Sequence, residues 1–170
     1  MSEFAIFPAG IPVHVETSAG TTAAPSTAAL ILVVGFDGSR AAQRALDAAV
    51  RIVYQRRGRL EIVYVTDARL RAPSSKQPMT EEDGIAEATA RQLGLTVRTL
   101  LEQREERWRF QHREGERHHQ LLAVADEVRD HPDTHPGSTI VIVVGNDRRA
   151  VGSVTTRLLR ESPYPLVLVP

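Results

Sequence analysis

Two glycine-bearing loops hold the residues of this chain best placed for chemistry. The first is Gly35-Phe36-Asp37-Gly38-Ser39, directly after the apolar run Ile31–Val34. The second runs from Gly145, which ends the apolar run Ile140–Val144, to Gly152-Ser153-Val154. Each loop leads into a helical pattern. A glycine loop feeding a helix N-terminus can hold a phosphate, because free backbone N–H groups point outward there. Asp37 suits two roles, as an acceptor for a ribose hydroxyl or as a turn residue capping the helix that follows. Gly145 either lets a phosphate approach or simply ends a strand. Ser153 is either part of an anion site or an ordinary helix cap. Arg148 and Arg149, inside the second loop, either grip phosphate oxygens bidentately or lie in solvent.

Other chemistries have little support. The chain has no G-x-S-x-G, no P-loop and no H-E-x-x-H. Nothing pairs Ser39 with a base, so no catalytic residue is assigned, although slow nucleotide hydrolysis is compatible with this reading. The histidines His112, His118, His119, His131 and His135 suggest a metal at first sight. Only His131 and His135 have the i, i+4 spacing of a helical zinc pair, and Pro132 lies between them. No metal is expected. The mixed-sign stretch from Glu102 to Arg117 reads as a solvated helix end and an exposed strand face.

These loops need strands and helices to position them. Leu30–Val34 is a short apolar run, as in a strand buried on both faces. Ser39 is a good N-cap for a helix whose stripe is Ala42, Ala45, Leu46, Ala49, Val50 and Val53. Gly58 ends that unit, and Leu60–Val65 is a second strand. Thr80 opens a second helix reaching about Gln103, with Ile85, Ala88, Leu93, Val97 and Leu100 or Leu101 inward. Trp108, Phe110 and His112 alternate as in a strand. Gly115 precedes a third helix with Leu121, Leu122, Ala125 and Val128 inward. Ile140–Val144 is the fourth strand, Ser153–Arg160 the fourth helix and Leu166–Val169 the fifth strand. The strict alternation predicts an α/β fold, Rossmann-like, with an open five-stranded parallel sheet and helices on both faces. Ligands of such sheets bind beyond the carboxyl ends of the strands, where the winding reverses. Strands 1 and 4 carry the glycine loops, which places the switch point between them and gives the order 3-2-1-4-5.

The 170 residues suit one domain. Zero cysteines exclude disulfides and thiolate chemistry. Twenty-one basic and 21 acidic residues leave no net charge, which argues against a nucleic-acid binder or an anionic-membrane binder. No stretch reaches the ~20 apolar residues of a membrane span. The N-terminus, with Glu3, Pro8 and Pro12 and no basic start, does not read as a signal peptide. A cytoplasmic protein is expected. Residues 1–28, rich in Ala, Thr, Ser, Gly and Pro, read as a flexible tail in which Phe4–Phe7 and Val13–Val15 could dock locally. The domain is expected over 29–170.

Five segments in order resemble the universal stress protein family. They are VVGFDGSRAAQRALDAAV, then YVTD closing the second strand, then REG before the third helix, then VIVVG, then GSVTTRLLRESPYPLVLVP. The resemblance implies a homodimer in stress response, paired through the last strand, here Leu166, Val167, Leu168 and Val169. It also implies two branches. One binds ATP through a motif G-x2-G-x9-G-[S/T]; the other lacks the motif and binds no ATP. Carried over, the motif begins at Gly145 and ends at Gly152-Ser153, continued by Val154 and Thr155. Asp37, following Gly35, and the backbone at Val65 match the adenosine-holding positions. The middle glycine has no counterpart, and only six residues separate Gly145 from Gly152, half the motif's spacing. A loop this short leaves a terminal phosphate poorly covered, so ATP, ADP or AMP are the candidate ligands. The alternatives are a regulatory dimer without nucleotide, or an ATP-dependent enzyme of the related nucleotide-binding α-hydrolase architecture. The enzyme reading lacks that group's paired glycines after strand 1.

Overall fold

The apolar run ending at Gly35 is a strand at the centre of the sheet. The computed structural model describes residues 15–17, 28–56, 58–66, 81–102, 104, 107–146 and 152–170. Among them the order is β1 (Val15–Thr17), β2 (Leu30–Gly35), α1 (Arg40–Arg56), β3 (Arg59–Thr66) and α2 (Glu81–Leu101). Then come β4 (Arg107–Glu114), α3 (Arg117–Asp130), β5 (Thr139–Gly145), α4 (Ser153–Glu161) and β6 (Leu166–Val169). Strands β2 to β6 form a parallel sheet in the order β4-β3-β2-β5-β6, which is the expected 3-2-1-4-5. The winding reverses between β2 and β5, whose residues pair from Leu30 with Thr139 to Val34 with Val143.

The sheet is covered on both faces because its central strands are apolar on both. Leu32 and Val34 pack with α1 and α2, while Ile31 and Val33 pack with α3 and α4. Helix α1 buries the stripe read from its spacing, Ala42, Ala45, Leu46, Ala49, Val50 and Val53. Ser39 caps it, its Oγ accepting from Ala42 N at 3.1 Å. A Cβ at Gly58 would meet Leu30 O at 2.2 Å, so the turn into β3 needs glycine for close packing.

Three expectations change. Residues 15–17, read as part of a tail, form β1, which pairs antiparallel with β4 in the register Val15 with Gln111 to Thr17 with Arg109. The backbone of β4 would otherwise be an open sheet edge, and a short edge strand covers it. In helix α2 the expected Leu93, Val97 and Leu101 face inward, but the expected Ile85 and Ala88 do not. Ala90, Gly94, Val97 and Leu101 are buried, whereas Ile85 is 66% exposed and Leu100 48% exposed. The glycine at 94 lies on the buried seam, where it costs helix propensity but adds no bulk. In α3, Val124 and His118 are buried and Leu122 only partly so. The expected cap Thr80 and the tail residues Phe4–Phe7 and Val13 lie outside the described residues.

A buried polar chain runs along the α3 face of β3 and β4. Glu61 and Gln111 are both buried, with Gln111 Nε2 donating to Glu61 Oε2 at 3.4 Å. Arg113 donates to Gln111 Oε1 at 2.8 and 3.0 Å and pairs with Glu127. Burial pushes the Glu61 carboxyl above the ordinary carboxylate range, while Arg109, Arg59 and Arg113 pull it back in part.

Candidate functional site

At the carboxyl ends of β2, β3 and β5 lies a cleft of about 260 Å³. Its floor is apolar, from Val63, Val65, Leu121 and Val144, and its rim is built from helix starts. The strands deliver their last residues here, and the chain then turns away into α1, α3 or α4. Gly35, Asp37, Val65, Gly145, Gly152, Ser153, Val154 and Thr155, read from sequence as candidates, all line this one cleft. Arg148 and Arg149 lie outside the described residues.

The two ends of the glycine loop differ physically. A Cβ at Gly145 would meet Ala41 O at 2.2 Å and Ala41 C at 2.3 Å. The first turn of α1 crosses directly over it, so the fold itself requires this glycine. Among the described residues a Cβ at Gly152 would meet nothing within 4 Å. Its φ of −62° is open to any residue, so no packing or backbone need explains a glycine there. Gly152 is also the N-cap of α4, the place the sequence offers to Ser153, and among the described residues no side chain caps that helix. The first N–H groups of α4 are therefore left facing the cleft, together with the positive end of the helix dipole.

Asp37 stands opposite. Its Oδ1 accepts from Ser39 N at 3.0 Å, which satisfies the turn role. Its Oδ2 has no partner among the described residues, and the residue is exposed to the cleft. It is the one carboxylate in the lining among the described residues. At Gly35 an added Cβ would lie 3.4 Å from Leu121 and Val144, an ordinary contact distance.

Two polar lining residues escape the sequence reading. Arg117, placed there in a solvated run, is the first residue of α3 and reaches the cleft, with no hydrogen bond or ion pair to any described residue. Asn146 follows β5, its backbone N–H donating to Val169 O at 2.7 Å. Its side-chain Oδ1 is buried with no donor among the described residues. An unsatisfied buried acceptor costs about 1–3 kcal/mol, which a ligand donor would recover. The only available signal for Asn146 is its place directly after the strand glycine. Nothing in the sequence places the start of α3 at the same rim.

The model of the universal stress protein family matches residues 30–170, and the chain belongs to that family. Among solved structures, a member of the family from Burkholderia pseudomallei is 27% identical, with 82% of this chain and 95% of that one covered at a TM-score of 0.56. A universal stress protein in complex with cAMP is 22% identical, covering 85% of this chain and 99% of its own at 0.58. The universal stress protein from Archaeoglobus fulgidus in complex with dAMP is 21% identical, covering 85% and 98% at 0.51. No curated protein matches the sequence.

Proposed function

We propose that this universal stress protein binds an adenine nucleotide at the β2/β5 switch point and acts as a dimeric binding protein rather than a dedicated enzyme. The observation that carries the reading is Gly152. It is a glycine that no described residue requires, at a helix start that no described side chain caps and that faces a cleft. A ligand phosphate explains it, because the backbone N–H groups and the dipole favour an anion and a bare Cα lets it approach. Arg117 adds a charged donor to the same rim, and Asp37 Oδ2 and Asn146 Oδ1 supply acceptors for ribose hydroxyls or an amino group. The apolar floor at Val63 and Val65 suits a base. Two structural neighbours are complexes with cAMP and dAMP, both with a single phosphate, which fits the short Gly145–Gly152 spacing of the sequence.

Calorimetric titration of AMP, ADP and ATP into the wild type, Gly152→Val and Asp37→Ala tests this. The wild type binds all three with AMP and ADP losing little to ATP, and both variants bind more weakly. Equal weak affinity in all three proteins, or ATP binding far tighter than ADP, contradicts it.

A further inference from the structure

The first turn of α3 and the last turn of α4 bring together Glu116, His118, His119 and Glu161, outside the lining of the cleft. The two imidazole rings lie 4.0 Å apart, tilted by 41°. Nδ1 of each faces the same oxygen, Glu116 Oε2, at 3.7 Å from His118 and 3.8 Å from His119. Nε2 of each faces Glu161 Oε2, at 3.3 and 3.8 Å. Ligand atoms of Glu116, His118 and His119 all lie within 4.8 Å of one another, the one such group of three among the described residues. The His118 side chain is buried and that of His119 is 61% exposed, so the group is anchored on one side and open to solvent on the other.

We propose that Glu116, His118 and His119 bind a divalent transition-metal ion of the zinc type, with Glu161 as the outer carboxylate that orients both histidines. Imidazole nitrogen and carboxylate oxygen suit zinc, nickel and copper, whereas magnesium and calcium prefer oxygen alone. Tetrahedral bonds of ~2.0–2.1 Å put ligand atoms about 3.3–3.4 Å apart. The two histidine-to-Glu116 separations of 3.7 and 3.8 Å are within a few tenths of an ångström of that value, and the three ligand atoms together, within 4.8 Å of one another, close onto a metal by side-chain rotation. Metal-bound histidines characteristically donate their other ring N–H to a carboxylate, which fixes the tautomer. Glu161 Oε2 faces both Nε2 atoms, at 3.3 and 3.8 Å, on the side of the rings away from Glu116, and a small approach would let it accept from them once a metal holds the Nδ1 atoms. The site escapes a search for i, i+4 histidines because its carboxylates come from the residue before α3 and from a second helix.

Arg157 opposes the metal. Its Nη1 donates to Glu116 Oε2 at 2.7 Å, so guanidinium and metal compete for one oxygen. This competition separates a metal site from a purely structural cluster of ion pairs. Removing Arg157 from a metal site releases a ligand oxygen, whereas removing it from a structural cluster only loses a contact. The proposal is independent of nucleotide binding in the cleft.

The test is competition of Zn²⁺ between the full chain and a chromogenic chelator. The proteins are the wild type, His119→Ala, Glu116→Gln, Arg157→Gln and, as a control, the double variant His131→Ala/His135→Ala. The wild type takes up one Zn²⁺ per chain. Affinity falls at least about tenfold in His119→Ala and Glu116→Gln, rises in Arg157→Gln and is unchanged in the control. His119 is exposed, so its variant reports on binding even where Glu116→Gln fails to fold. X-ray absorption of the zinc-loaded wild type finds two imidazole nitrogens. No Zn²⁺ uptake, full affinity in His119→Ala, loss of affinity in the control, or no gain in Arg157→Gln overturns the proposal.

Discussion

At the residue scale, glycines that look alike in sequence do different work. Gly145 is held by the backbone of α1 and Gly152 by nothing among the described residues, so substitution separates them. Gly145→Ala forces its Cβ onto Ala41 O and is expected to destabilise the domain by about 1–3 kcal/mol or more, read as a lower denaturant midpoint. An unchanged midpoint would mean that α1 moves away freely. Gly152→Ala is expected to leave the midpoint unchanged. The cleft residues Gly35, Asp37, Val65 and Gly152 are legible because each ends a strand or opens a helix, and that much is local. Arg117 is not, since only the packed sheet puts the start of α3 at the same rim as the start of α4. Glu61 is also illegible as a buried group, because a charged residue within an apolar strand declares no partner until β4 pairs alongside it. Its folded-state value is raised above about 4.5, so the folded chain holds that proton more tightly than the unfolded chain. The stability linked to Glu61 is present in full below about pH 4.5 and is lost as the pH rises through the folded value. Glu61→Gln is therefore expected to raise the melting temperature relative to wild type more at pH 7 than at pH 4.5. A difference that is equal at both, or larger at the acid pH, would contradict the burial argument.

At the element scale, the strands and α1 follow from composition and spacing, because an apolar run or a clean stripe leaves one way to bury it. Helix α2 shows where that reasoning stops. Its apolar residues surround the helix, with Ile85, Leu95 and Leu100 exposed alongside buried Val97 and Leu101. Two phases of the stripe compete, and packing against β4 and Gly38 decides. Strand β1 escapes the sequence for another reason. Three residues pairing through their backbone need no apolar pattern, so composition alone reads as tail. A chain beginning at Thr27 removes β1 and uncovers one edge of β4, and keeps every described residue of both core clusters. It is expected to melt as a single cooperative unit with a modestly lower midpoint, measured by circular dichroism. A non-cooperative melt would show that the N-terminal segment is part of the core.

At the scale of the whole molecule, the opposite edge of the sheet is less covered. Strand β6 pairs with β5 on one side, and Leu168 is 36% exposed, as is Leu159 of α4 at 58%. An apolar strand edge suits a two-fold partner that repeats the same patch. Light scattering is expected to give a dimer at micromolar concentration, and a monomer unchanged by truncation after Pro165 would remove this proposal. Native mass spectrometry of the whole chain, mixed with equal concentrations of AMP, ADP and ATP, tests the nucleotide reading most directly. The account predicts a dimer carrying up to one nucleotide per protomer, with AMP and ADP adducts comparable to the ATP adduct and all of them diminished in Asp37→Ala. No nucleotide adduct in the wild type, or an adduct with ATP alone, would contradict it.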